Sequence, residues 1–142
     1  MSSFEKKSIT SETALVAIQG AIAKAKQLGH QMSVVVCDEG GAEKLAYRMD
    51  GASSSTLKIA HDKAYTSASH SMATHALWDF IKNDPPLQHG FPSMPNIVVF
   101  GGGYPILEDG QVIGAIGVSG AHYSDDMEVA RAGLSAIGAP VS

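Results

Sequence analysis

The segment from Asn96 to Gly120, NIVVFGGGYPILEDGQVIGAIGVSG, constrains the fold of this chain more than any other. Asp109-Gly110 separates two apolar runs, and a two-residue type I′ turn needs φ > 0 at both central positions, which Asp-Gly supplies. A β-hairpin with strands at about 104–108 and 111–119 is the expectation. Gly101, Gly102 and Gly103 are not needed for that turn. Three neighbours without a Cβ suit either a flexible loop ahead of the hairpin or a binding edge where backbone approaches a strand or a ligand. Gly114 and Gly117, inside the second apolar run, predict close backbone packing or a bulge.

The rest of the chain alternates helical and strand periodicity. Ala14, Leu15, Ile18, Ala21, Ile22, Ala25 and Leu28 recur at three- and four-residue steps, predicting an amphipathic helix over 11–29 that stops at Gly29. Residues 32–38 and 43–49 read as strands joined through Glu39-Gly40-Gly41-Ala42. A second helix should start after Ser53-Ser54-Ser55 and run to about Met72, with Leu57, Ala60, Ala64 and Ala68 on one stripe. A shorter one is expected over 74–82, capped by Thr74 and ended by Asp84-Pro85-Pro86. Trp78 and Phe80 on it read as core residues, with a lid over an apolar ligand as the other possibility. Residues 83–96 carry four of the six prolines and read as an irregular loop, followed by a further strand at 97–100. The last helix should begin at the cap Ser124, with Asp125, Asp126 and Glu128 facing its N-terminal dipole, and end before Gly138. Two hairpins separated by helices predict a single-domain α/β (α+β) fold with a largely antiparallel sheet covered by helices.

Composition narrows the function classes. With 142 residues, 44% hydrophobic and 17% charged, the chain can bury a core without metal or disulfide staples. A formal net charge of −4 lacks the basic face that nucleic acid demands. Apolar runs are broken every few residues by glycine or polar groups, so no membrane span is expected. The start Met-Ser-Ser-Phe-Glu-Lys-Lys has no apolar leader, which with the lone Cys37 predicts a cytoplasmic setting. Cys37 sits in a Val-Val-Val-Cys run and reads as buried strand filler.

Three stretches together resemble a known family. Gly102-Gly103-Tyr104-Pro105-Ile106, continuing through Asp109-Gly110 to Val118-Ser119-Gly120, is similar to the signature of the haem-binding-protein and glycolate-operon-protein family (HbpS/GlcG-like), which includes the C-terminal domain of PduO-type adenosyltransferases. Val35-Val36-Cys37-Asp38-Glu39-Gly40-Gly41 with Arg48-Met49-Asp50-Gly51, and Ile59-Ala60-His61-Asp62-Lys63-Ala64-Tyr65-Thr66, resemble it as well, in the expected order. The resemblance implies a five-stranded, profilin-like α/β/α layer, a homo-oligomer and haem as a possible cofactor. His61, where the family leads one to expect an aliphatic residue before Asp62-Lys63, and His70 depart from its pattern.

The candidate site residues follow from chemistry. Arg48, at a strand end, and Lys63, one turn into the next helix, could together hold a carboxylate or phosphate, arginine in a bidentate manner; otherwise they form surface ion pairs with Asp50 and Asp62. Asp62, Tyr65 and Gly101–Gly103 complete the candidate ligand site. Six histidines are present, four of them between His61 and His89. No His-x-x-x-His or His/Glu metal spacing is among them, but a single axial imidazole suffices for haem iron. His61 is the favoured metal ligand, with His70 and His75 as the alternatives and Tyr65 placed to orient His61 by hydrogen bond. Two functions of different class remain open. One is a binder of haem or a related tetrapyrrole. The other is a cofactor-independent enzyme (isomerase, tautomerase, hydrolase or dehalogenase) acting on a small carboxylated metabolite, with His61 or His70 as general acid or base and the glycine N–H groups steadying an oxyanion.

Overall fold

The computed structural model describes residues 2–141. Its elements run α1 (Ser11–Leu28), β1 (Ser33–Asp38), β2 (Glu43–Arg48), α2 (Ser54–His70), α3 (Thr74–Ile81), α4 (Pro85–Gly90), a 3-10 turn at Phe91–Ser93, β3 (Gly103–Glu108), β4 (Gln111–Ser119) and α5 (Tyr123–Ala136). The sheet is antiparallel throughout, in the order β2-β1-β4-β3.

Both expected hairpins form, the second by the expected turn chemistry. Asp109 and Gly110 take φ of 51° and 77°, as a type I′ turn requires. In the first hairpin the Asp38 carboxylate accepts from the N–H groups of Gly40 and Ala42 at 2.9 and 3.0 Å, and Gly41 turns left-handed. Strand alternation then assigns the two faces. Val34, Val36, Ile106, Ile116 and Val118 pack with Ala17, Ile18, Ala21 and Leu134 of α1 and α5. Val35, Cys37 and Ala115 pack with Ala60, Ala64 and Ala68 of α2. Burial pushes the Cys37 thiol up to about 12, so it is filler and no thiolate.

Helix α2 sits unusually low on the sheet. Gly103 and Gly117 face each other in the β3–β4 register. A Cβ on Gly117 would collide with the Ala60 carbonyl, and one on Gly103 would fall 2.6 Å from the Lys63 carbonyl. The predicted close packing at Gly117 is therefore the seat of a helix. At Gly114 the same close approach is to the Cys37 carbonyl of the neighbouring strand.

Four expectations need correction. The sheet has four strands among the described residues, not five, because the 97–100 segment is tied to α2 instead of to a strand. The Thr66 hydroxyl donates to the Asn96 carbonyl at 3.0 Å and accepts from Val98 N–H at 3.1 Å, while Asn96 takes a left-handed φ of 65°. Residues 83–96 are not irregular throughout: Pro85 and Pro86 start α4, proline's fixed φ being suited to the first helical turn. Neither Thr74 nor Ser124 is a cap. Thr74 lies inside α3 and its hydroxyl accepts from Gly103 N–H at 3.0 Å, and His122 caps α5 by accepting from Ser124 N–H. Trp78 and Phe80 are not core, being 37% and 64% exposed, because α3 turns Thr74, Leu77 and Ile81 inward.

Gly117→Ala should lift α2 off the sheet and cost about 3 kcal/mol or more, at the upper end for overpacking. Gly90→Ala, where nothing lies within 4 Å of a new Cβ, should be near neutral. Chemical denaturation of both variants checks this; equal stabilities would show that the helix seat tolerates a side chain.

Candidate functional site

The turn into β3 and the start of α5 meet around one charged pair. Lys63, on the sheet side of α2, is wholly buried; its ammonium donates to the Val118 carbonyl at 2.8 Å and to the Asp126 carboxylate at 2.9 Å. The other Asp126 oxygen accepts from Ala121 N–H at 3.1 Å. Burial pushes Lys63 below and Asp126 above their ordinary pKa ranges, with mutual attraction opposing both shifts. The same ammonium occupies the space beside Gly102, where a Cβ would fall 2.6 Å from Nζ and where φ is +124°. A side chain at Gly102 therefore meets both backbone strain and the ion pair.

Above this pair opens a cavity of about 520 Å³ with mainly apolar walls. Helix α3 contributes His75, Trp78 and Asp79, the incoming segment Val99, Phe100 and Gly101, and α5 Tyr123 and Met127. Its size lies in the usual range for a small-molecule site. His75 Nδ1 is buried with no hydrogen-bond partner. The ring instead tilts against Tyr104 at 5.6 Å, and the Tyr104 hydroxyl accepts from Arg131 at 3.0 Å. A buried imidazole nitrogen left without a partner is costly.

The predicted residues separate into several places. Gly101 lines the cavity, whereas Gly103 is packed under α2 against Ser67 and Thr74. Arg48, on the edge strand, donates to the Ala52 carbonyl at 2.8 Å, so it and Lys63 share no partner among the described residues. His61 Nδ1 lies 3.1 Å from Asp62, which also accepts from Lys58 at 2.7 Å; Asp62, not Tyr65, orients that histidine. The Tyr65 ring packs on Gly41, and His70 meets Phe91 edge-on at 5.3 Å. None of Arg48, His61, Asp62, Lys63, Tyr65 or His70 is in the cavity lining. Sequence reasoning named His75 as an alternative ligand and Trp78 as a possible lid, and passed over only their joint spacing with Asp79 in His75-Ala-Leu-Trp78-Asp79. Spacings of three and four put these side chains on one helical face, and that face lines the cavity.

Comparisons with known proteins agree on one lineage. The model of the HbpS-like family, described as "Haem degrading protein HbpS-like", matches residues 9–135. An uncharacterized 15.0 kDa protein from the dhaT-dhaS intergenic region of Citrobacter freundii is 35% identical over 128 residues, 89% of each chain. The corrinoid adenosyltransferase PduO of Salmonella typhimurium is 34% identical over 121 residues; these make up 84% of this chain and only 36% of that enzyme. The crystal structure of a PduOC–haem complex superposes with a TM-score of 0.87 at 30% identity, covering 94% of this chain and 98% of that one.

Lys63→Met alone should cost about 3–5 kcal/mol, because it leaves Asp126 buried and unpaired. Lys63→Met combined with Asp126→Leu should recover most of that loss, since apolar replacement of a buried pair is often neutral or stabilising. Denaturant midpoints measure both. Additive losses would show that the two side chains act independently.

Proposed function

The chain belongs to the HbpS-like family, and from that premise we propose that it binds haem or a closely related tetrapyrrole in the cavity between α3 and α5, where His75 would hold the iron. The observation that carries the reading is that His75 stands in the wall of an otherwise mainly apolar cavity with aromatic side chains. A single imidazole is enough to hold haem iron. Trp78, Phe100 and Tyr123 offer flat faces suited to a macrocycle, and Met127 offers a soft, adaptable wall. His61, favoured from sequence, does not line this cavity; its Nδ1 meets Asp62 at 3.1 Å.

The bound iron would supply redox and small-ligand chemistry; the protein's own contribution is to hold the ring and limit water. Neither Arg48 nor Lys63 lines the cavity, so its wall offers no paired cation site to propionates. Trp78, Phe100 and Tyr123 leave apolar surface at the cavity, the kind of surface that self-association covers. A homo-oligomer fits this reading.

A second reading has its own observation. His75 and Asp79, four residues apart, share the cavity with Tyr123. That set could move a proton on a small carboxylated metabolite without any cofactor.

Titration with haemin separates the two. A saturable Soret band that shifts or disappears in His75→Ala, with binding weakened about tenfold or more, supports haem ligation by His75. The same band in His75→Ala at native affinity refutes that ligand. No saturable band in the native protein refutes haem binding and favours the acid/base reading.

A further inference from the structure

We infer that Phe100 is the stacking face that selects an electron-rich planar π system for this cavity, and that the buried Lys63 sets the polarity of that face from behind. The inference rests on the cavity being the ligand site, and it adds which property of the ligand the site reads.

The geometry is specific. Lys63 Nζ lies over the Phe100 ring, 5.0 Å from its centroid, within the range of a cation–π contact. Two of the three ammonium hydrogens have acceptors, the Val118 carbonyl and the Asp126 carboxylate. Lys63 is 0% exposed, so the face of the ring turned toward it is closed to solvent, yet Phe100 is 45% exposed and lines the cavity. Its accessible surface therefore lies on the opposite face and the rim. Phe100 precedes Gly101, whose missing Cβ leaves room for the Met127 thioether, and Gly102, held at φ +124° beside the same ammonium.

A cation on one side of an aromatic ring draws π density toward itself. The far face is then less negative than that of an ordinary phenylalanine. Stacked rings arrange themselves by quadrupole and charge distribution as well as by area. A ring of high π density gains on such a face, and one depleted by electron-withdrawing groups gains less. Placing the Lys63–Asp126 pair with its ammonium behind an exposed aromatic lets that ammonium act on a ligand without being exposed to water.

The test uses three porphyrin probes with the same two propionates: haemin, metal-free deuteroporphyrin, and diacetyldeuteroporphyrin, whose acetyl groups withdraw electrons from the ring. Native protein should bind deuteroporphyrin more tightly than its diacetyl derivative. Phe100→Leu should weaken haemin and deuteroporphyrin by about five- to tenfold and erase the preference between the two metal-free rings, while Phe100→Trp should keep most of the affinity. Lys63→Met with Asp126→Leu, keeping Phe100, should lose the preference and retain stacking. Equal or reversed preference in the native protein overturns the role of Lys63, whether or not the double variant folds. Native affinity in Phe100→Leu overturns the stacking role. If haemin binding disappears only in His75→Ala while the Phe100 variants are neutral, this inference fails and the haem reading stands; if no probe binds the native protein, both fail.

Discussion

The rest of the molecule depends on how closely α2 lies on the sheet. Gly103 and Gly117 face each other across β3 and β4, and the α2 backbone at Ala60 and Lys63 rests where their side chains would be. Alanines 60, 64 and 68 extend the same thin interface along Val35, Cys37 and Ala115. A helix seated this low brings its own polar groups within hydrogen-bond reach of neighbouring segments. Thr66 thereby captures the 96–98 segment, and Lys63 reaches the end of β4. Larger residues at either glycine would raise the helix and withdraw these contacts together.

The Lys63–Asp126 pair is the second consequence of that seat. It joins α2 to α5 and to the Val118 carbonyl across sequence separations of 63 and 55 residues. Burial works against both charges, so the pair is poorly explained as a source of stability. Its geometric effect is clearer. It fills the space that Gly102 leaves open, fixes the entry into β3 and places a positive charge directly behind Phe100.

The cavity has aromatic walls and an imidazole, that of His75. The walls come from three segments distant in sequence: α3, the run into the triple glycine, and the first turns of α5. None of the three makes a site alone. His75 without Phe100 and Met127 would be one more histidine on a short amphipathic helix.

Local chemistry made much of the fold legible from sequence. The Asp109-Gly110 turn, the alternation along β1 and β4, the stop at Gly29 and the stripe of α2 each follow from interactions between residues close in the chain, and the antiparallel sheet with covering helices follows from their order. The resemblance to the haem-binding family was legible in the same stretches. What sequence could not decide was which chain ends meet. A fifth strand at 97–100 has the right residues, but the Thr66 hydroxyl, 30 residues away, takes its backbone first. Lys63 reads as a surface cation by local pattern and becomes an interior one only because two facing glycines let α2 descend onto β4. His75 and Trp78 share a helical face by spacing alone, yet that face becomes a cavity wall only when the tertiary fold sets Phe100 and Met127 opposite. Periodicity and turn chemistry act over a few residues; the burial of a charge and the walls of a cavity depend on distances that exist only after the chain has closed on itself.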